Sequence, residues 1–189
     1  MTKTLLATAA LALALPLTAQ AAPKGNGFTA MAGLGFGIQS VLPDEGDSNT
    51  EYGVAIDLAA GGFIKPNLAL LFRIDGTITQ QDLGGGDDNK ATYTHLLLGP
   101  AVQYWLNEKL WVSGTAGISA IRAEAEIEFL GQKTTISVDD NELGLGGGAG
   151  YVLWNSGEHT VYVGGDLSLG FHDGGKILST AFTVGWQML

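Results

Sequence analysis

The feature that most constrains this chain is a series of eight stretches in which apolar residues alternate with small or polar ones. In the first stretch, about Gly27 to Ser40, the even positions from Phe28 to Ile38 are apolar and the odd positions, apart from Met31, are small or polar. A period of two is typical of a strand whose two faces meet different surroundings. The connections between the stretches are alternately long and short. The sequence therefore predicts eight antiparallel strands, each joined to the next.

The limits of the alternating stretches give the predicted strands. They cover residues 27–40, 52–64, 68–80, 91–105, 110–122, 142–154, 159–172 and 177–189. Strands of this length are sufficient to cross a bilayer at a tilt. A sheet in lipid has to close on itself, because an open edge would leave backbone groups without hydrogen-bond partners. The predicted fold is all-β: an eight-stranded antiparallel up-and-down transmembrane β-barrel.

The N-terminus has the pattern of a secretory signal peptide. Lys3 supplies a positive charge, Leu5 to Leu17 form an apolar run, and Ala19-Gln20-Ala21 is a small–x–small cleavage site. The run is too short for a membrane-spanning helix. We therefore predict an exported protein, with residues 1–21 as signal peptide and residues 22–189 as one barrel domain.

The composition excludes several classes of function. There is no cysteine, which excludes a disulfide scaffold, a thiolate nucleophile and cysteine metal ligands. The formal net charge is −10, and nucleic-acid binding requires a basic face instead. The chain has 29 glycines and is 46 % hydrophobic. Alternation explains these values, since one face of each strand meets lipid and the other meets a crowded interior.

Strands four and five leave questions open. Pro100 lies within strand four and cannot donate to a ladder, so it predicts a bulge. Strand five, Leu110 to Arg122, is apolar or small on both faces, and its inward face is not fixed by the pattern. The longest connection, Ala123 to Asn141, itself alternates. It predicts that strands five and six continue beyond the membrane as a hairpin.

All four tryptophans (Trp105, Trp111, Trp154 and Trp186) lie near the predicted short turns, where an aromatic girdle would lie. With this placement and the eight strands, the mature chain resembles the small outer-membrane β-barrels of the OmpA/OmpX type. The resemblance implies a monomer in a Gram-negative outer membrane with both termini periplasmic. It also implies contact with outer-membrane lipids, lipopolysaccharide and the barrel-assembly machinery. The chain ends in Leu189, whereas such barrels usually end in an aromatic residue, so we expect an atypical assembly signal.

Four charged residues are predicted to face inward from mid-strand: Asp57, Arg73, Asp75 and Asp166. The interior of an eight-stranded barrel is only wide enough for side chains. Buried charges must be paired, so the first interpretation is an ion-pair network centred on Arg73. A narrow polar conduit is the alternative, since the many inward glycines could leave room for water.

Most of the 19 acidic residues fall in the four long connections. The simplest interpretation is a solvated surface. The alternative is a cation-bridged contact with lipopolysaccharide phosphates, for which Asp44 to Asp47 and Gly86 to Asn89 are candidates. Neither segment has the ligand spacing of an EF-hand loop, so we predict no metal site and no cofactor.

Histidine could serve as a base in a lipid-modifying enzyme, and the chain has His95, His159 and His172. His172 lies near Asp173 and, across the seam, near Ser179. No G-x-S-x-G motif or comparable nucleophile motif is present, so we predict no catalytic residue. The function predicted first is a structural or surface-interaction scaffold with acidic loops. A narrow channel for small solutes and a lipid-modifying enzyme remain the alternatives.

Overall fold

The computed structural model describes residues 27–82, 90–129 and 132–189, and the predicted signal peptide lies outside them. The described chain forms eight strands. They are β1 (Phe28–Pro43), β2 (Asn49–Lys65), β3 (Leu68–Asp82), β4 (Lys90–Trp105), β5 (Leu110–Phe129), β6 (Gln132–Asn155), β7 (His159–His172) and β8 (Gly175–Met188). None of these residues belongs to a helix long and apolar enough to cross a membrane.

The eight strands form a closed antiparallel ring in chain order. The last strand returns to the first, and the β1–β8 ladder runs from Ala30 opposite Met188 to Pro43 opposite Gly175. Because the ring is closed, β1 and β8 pair with each other, and neither leaves an unpaired edge along the body of the barrel. The predicted fold class is confirmed.

The two faces of the strands divide as the alternation predicts. On β1, Met31 is buried inside the barrel, whereas Leu34 on the outer face is 63 % exposed. The structure also resolves the orientation of β5. Trp111, Thr115 and Ser119 point inward, and Val112 and Ile118 point outward. The inward residues of β5 include a large aromatic side chain as well as small polar ones. Their hydrophobicity therefore does not differ clearly from that of the outward residues, and the sequence pattern could not tell the two faces apart.

The bulge predicted at Pro100 is wrong. The β4–β5 register is the same on both sides of this residue, with Leu98 opposite Ile118 and Ala101 opposite Thr115. The ring of Pro100 is exposed on the outer face, and its missing N–H does not shift the register of the ladder. The register shifts instead at Phe63/Lys65 and at Val152/Trp154, both near the short turns.

The predicted hairpin is confirmed. β5 and β6 remain paired from Leu110 opposite Tyr151 as far as Phe129 opposite Gln132. The β6–β7 ladder begins only at Gly144 opposite Gly170. The hairpin of residues 123–141 therefore projects beyond the strand that follows it in the ring. We call this end of the barrel the long-connection end and the other the short-turn end.

Candidate functional site in the barrel interior

An apolar plug fills the interior at the short-turn end. Trp105 and Trp111 are 1 % and 0 % exposed, and Trp111 meets the ring of Tyr162 edge-on at 5.4 Å between centroids. The other members of the plug are smaller apolar residues contributed by five strands: Met31, Ala59, Ala69, Leu71, Ala101 and Val152. This end of the lumen is packed like a protein core.

The four tryptophans therefore occupy two different environments. All four lie near the short turns, as the sequence predicts, but only Trp154 and Trp186 are exposed on the outer face. Trp105 and Trp111 fill the interior instead. Trp111 fits because glycine lies opposite: a Cβ added at Gly150 would come within 2.2 Å of Cζ2 of Trp111. A large inward residue facing an inward glycine on the neighbouring strand was a signal available in the sequence.

Within the plug, beside Ala69 and Met31, a pair of amides crosses the lumen. Gln103 on β4 and Gln187 on β8 each donate Nε2 to the other's Oε1, at 3.3 and 2.8 Å. Strands four places apart lie on opposite sides of an eight-stranded ring. Gln187 also donates to Oγ1 of Thr29. Both glutamines are fully buried, so each amide satisfies a group that water cannot reach.

The middle of the lumen is occupied by the guanidinium of Arg73. Its Nε donates to Asp57 Oδ1 at 2.8 Å, its Nη2 to Asp166 Oδ1 at 2.5 Å and its Nη1 to Ser113 at 2.7 Å. Arg73 on β3 and Asp166 on β7 are again on opposite sides of the ring. Tyr162 donates its hydroxyl to the second oxygen of Asp57. The predicted network centred on Arg73 is present for two of the three aspartates.

Asp75 is the exception. It is buried and lies directly opposite Asp57 in the β2–β3 ladder, and it hydrogen-bonds Ser168. The ion pairs of Arg73 within the described chain are those with Asp57 and Asp166. One guanidinium thus stands among three buried carboxyl groups, an excess of acid within a low-dielectric wall.

A chain of hydrogen bonds crosses the lumen near the long-connection end. Ser179 on β8 contacts His95 Nδ1 at 2.7 Å, and His95 Nε2 contacts Ser119 at 2.8 Å. Ser119 in turn contacts His172 Nε2 at 2.9 Å. His172 Nδ1 contacts Asp140 Oδ2 at 2.8 Å. His95 and Ser179 are on opposite strands, so this is the third tie across the lumen.

The acid at one end fixes the direction of every bond in this chain. A carboxylate only accepts, so His172 donates its Nδ1–H to Asp140. Nε2 of a neutral His172 must then accept, and Ser119 donates to it. The oxygen of Ser119 accepts from Nε2–H of His95, which leaves Nδ1 of His95 to accept from Ser179. All four bonds are satisfied with both imidazoles neutral.

Two glycines make room for these groups. A Cβ at Gly170 would lie 2.1 Å from Oγ of Ser119, and one at Gly144 would lie 2.9 Å from its Cβ. Neither position has a positive φ angle, so the space and not the backbone requires glycine. The hydroxyl of Ser119 is consequently enclosed, and the residue has no exposed surface.

The sequence predicted which histidine is of interest but not its partners. His172 lies at the rim as predicted, but it contacts Asp140 and Ser119 rather than Asp173 and Ser179. His95, which has no serine neighbour along its own strand, lies between two serines from β5 and β8. His159 is at a short turn, as predicted, with its ring 5.5 Å from that of Trp186.

The acidic loops form no metal-binding group in the described part of the chain. Asp44 lies at the turn between β1 and β2, where its N–H donates to the carbonyl of Gly174. Asp87 and Asp88 are outside the described residues. The feature that the interior presents is therefore a lumen crossed by polar ties at three heights and plugged at one end.

The fold is that of small outer-membrane barrels of known structure. The structure of Ail, the attachment invasion locus protein of Yersinia pestis, in complex with the heparin analogue sucrose octasulfate, matches with a TM-score of 0.63 at 13 % identity. It covers 86 % of this chain and 99 % of Ail. Neisserial surface protein A matches with a TM-score of 0.55 at 14 % identity, over 87 % of this chain and 97 % of that one.

At these identities the likeness concerns the fold alone. No protein-family model matches the chain. No curated protein sequence matches it either. The chain is thus an eight-stranded barrel of the outer-membrane type, and its function has to be argued from its own residues.

Proposed function

We propose that this protein is a monomeric barrel of the Gram-negative outer membrane, exported by its N-terminal signal peptide, which serves as an interaction scaffold at the cell surface. The observation that carries the proposal is the combination of a filled lumen with a projecting acidic hairpin. The long-connection end is then extracellular and both termini are periplasmic. The exposed apolar outer face supports this location, because in water it would be a large aggregation-prone surface.

The interior argues against transport. A solute would have to pass the Arg73 ion pairs, the Gln103–Gln187 pair and the plug around Trp111. Each of these contacts joins buried groups that would lose their partners if a conduit opened. The narrow channel is therefore the less favoured function.

The hairpin offers a surface for binding. The β6 edge from Gln132 to Leu143 has no ladder partner on the β7 side among the described residues. Free N–H and C=O groups on such an edge can pair with another extended chain. Ile136 and Val138 are 53 % and 63 % exposed on the same segment. Exposed apolar residues beside a free edge are typical of an interaction site.

The charge of the hairpin predicts the chemistry of its partner. Asp139, Asp140 and Glu142 follow the apolar pair along the same edge. An acidic edge favours an extended segment that carries Lys or Arg and repels polyanions. Ail was solved with a sulfated heparin analogue, and we expect the opposite preference here. Surface lipopolysaccharide is a further proposed partner, through divalent cations bridging its phosphates to loop carboxylates.

Assembly into the membrane would use the barrel-assembly machinery. Leu189 packs against the plug and is therefore not part of the outward apolar pattern of β8. Its N–H donates to the carbonyl of Glu158. We propose that the outward residues Phe182, Val184 and Trp186 supply the apolar pattern instead.

A trimmed variant tests the proposed function. Deleting residues 125–138 removes the free edge that carries Ile136 and Val138 and leaves the β4–β5 ladder intact up to Arg122. The folded protein, shown by different gel mobilities of boiled and unboiled samples, is displayed on cells and exposed to a lysine-rich peptide and to heparin. We expect the full-length protein to bind the peptide and not heparin, and the trimmed protein to lose binding. Equal binding by both would contradict the proposal.

A second candidate function is ester hydrolysis, which the Asp140–His172–Ser119 arrangement favours. A hydroxyl bonded to Nε2 of a histidine whose Nδ1–H is held by a carboxylate is the geometry of an activated serine. The complete burial of Ser119 makes it the weaker candidate. Labelling by a fluorophosphonate probe that is lost in Ser119→Ala would support hydrolysis. The scaffold function predicts no labelling.

A further inference from the structure

The chain of hydrogen bonds from Asp140 to Ser179 can run in a second direction. In the neutral arrangement each donor is dictated by Asp140, and Ser179 donates to His95. If His172 gains a proton on Nε2, it becomes a donor to Ser119. Ser119 must then donate to Nε2 of His95, whose N–H moves to Nδ1 and donates to Ser179. The bond from His172 to Asp140 keeps its direction, and the other three bonds among the five groups are kept with their directions reversed.

The reversed arrangement needs one additional acceptor, and the structure holds it. In this arrangement the oxygen of Ser179 accepts from His95, so the O–H of Ser179 requires another acceptor. Gln39 lies directly opposite Ser179 in the β1–β8 ladder, on the same inward face. Its Oε1 is buried and has no hydrogen-bond partner among the described residues. A buried acceptor without a hydrogen-bond partner costs free energy. This one lies beside Ser179, the last group of the hydrogen-bond chain.

We propose that Asp140, His172, Ser119, His95 and Ser179, with Gln39 as the terminal acceptor, form a proton-operated relay. Binding one proton reverses the hydrogen bonds across the lumen. Ser119 passes its proton to His172 and receives that of His95 Nε2, while His95 Nδ1 receives the proton of Ser179. A hydronium ion of the solvent gives its proton to the oxygen of Ser179 and becomes water, so this hydroxyl is restored with its O–H toward Gln39, His172 carries the added charge and His95 stays neutral.

The charge that His172 gains lies next to a carboxylate and close to solvent. Asp140 accepts from it directly and is 44 % exposed at the rim, so the ion pair reaches solvent. Among the described residues, the other groups toward this end of the barrel include two uncharged side chains, Ser119 of β5 and His95 of β4. The charged ones are the acids Glu142 of β6 and Asp173 in the turn after β7, and the cation Lys176 of β8. Acids thus outnumber Lys176 among these groups.

The reversed arrangement holds one more proton, so it is favoured as the pH falls. Protonation converts the His172–Asp140 contact into an ion pair between β7 and the base of the projecting hairpin. The bond is charge-assisted in both arrangements because Asp140 is ionised, and protonation adds the Coulomb attraction between the two side chains. Only this effect on the hairpin bears on the proposed surface function, and the reversal itself can be tested independently of it.

Nitrogen NMR of the full-length protein, labelled with ¹⁵N-histidine in lipid nanodiscs, tests the relay. At pH 8 we expect the proton of His95 on Nε2 and that of His172 on Nδ1. As the pH is lowered, His172 should become doubly protonated and His95 should change to the Nδ1–H tautomer at the same midpoint. A tautomer of His95 that stays unchanged while His172 titrates would overturn the proposal.

Three variants test whether protonation of His172 and the tautomer of His95 are coupled through the hydrogen-bond chain. In Ser119→Ala, His172 should still titrate while the tautomer of His95 no longer follows. Ser113→Ala is the matched control, because Ser113 is an inward serine of the same strand that contacts Arg73 instead. In Gln39→Leu the displaced hydroxyl loses its acceptor, and the coupled midpoint should fall by about one pH unit or more. Continued coupling in Ser119→Ala, or an unchanged midpoint in Gln39→Leu, would contradict the relay.

Discussion

Arg73 on β3 and Asp166 on β7 form an ion pair across the lumen, between strands on opposite sides of the ring. The same guanidinium holds Asp57 on β2 and Ser113 on β5. One side chain thus ties four strands together at the middle of the barrel. Its contacts are buried, so they are not weakened by solvent as surface ion pairs are.

Replacing Arg73 by Leu should destabilise the barrel strongly. The variant leaves Asp57 and Asp166 buried without their cation, which costs about 3–5 kcal/mol in comparable cases. Urea unfolding in lipid vesicles measures the loss. Arg122→Leu is the control, since Arg122 is exposed and its pairs with Glu124 and Asp139 contribute at most about 1 kcal/mol. Equal losses in the two variants would show that the central network does not hold the barrel.

Replacing Asp75 by Asn should raise the stability at neutral pH. Asp75 faces Asp57 across the ladder and makes no ion pair with Arg73 within the described chain, so its charge is a net cost. Asparagine keeps a hydrogen-bonding group toward Ser168. The unfolding midpoint should rise in Asp75→Asn and fall in Asp166→Asn, which removes a charge that Arg73 needs. A midpoint that falls in both would contradict this account.

The glycines of the wall should respond differently to the same substitution. In Gly150→Ala the new methyl group meets the ring of Trp111 at 2.2 Å, and overpacking of this kind costs about 1–3 kcal/mol. In Gly114→Ala it meets nothing within 4 Å on the outer face, and stability should be kept. Thermal unfolding followed by gel mobility compares the two. A matching loss in Gly114→Ala would mean that the plug is not the reason for glycine at Gly150.

The sequence predicted those features of the molecule that follow from the two-residue alternation of inward and outward side chains along a strand. The outward stripe of β1, the inward position of Arg73 and the continuation of β5 and β6 into a hairpin all follow from alternation along one strand. The number of strands and the closed ring follow from the same signal, because the bilayer excludes open edges.

What the sequence did not predict depends on which strands face each other across the lumen. His95 meets Ser179 and Ser119, and Gln103 meets Gln187, through contacts that join residues 24 or 84 positions apart. Alternation says that these side chains point inward but not at which height they meet. The inward Trp105 and Trp111 were missed for a related reason, since a tryptophan near a turn suits both a membrane interface and a plug.

The most direct test of the sealed barrel is the current through single molecules in a planar lipid bilayer. The sample is the folded protein, identified by the different mobilities of boiled and unboiled material. The account predicts a protein that inserts and shows no conductance steps, because Trp111, Gln103 and Arg73 close the lumen at separate heights. Stepwise conductance from the wild-type protein would contradict the sealed lumen and restore the channel as its function.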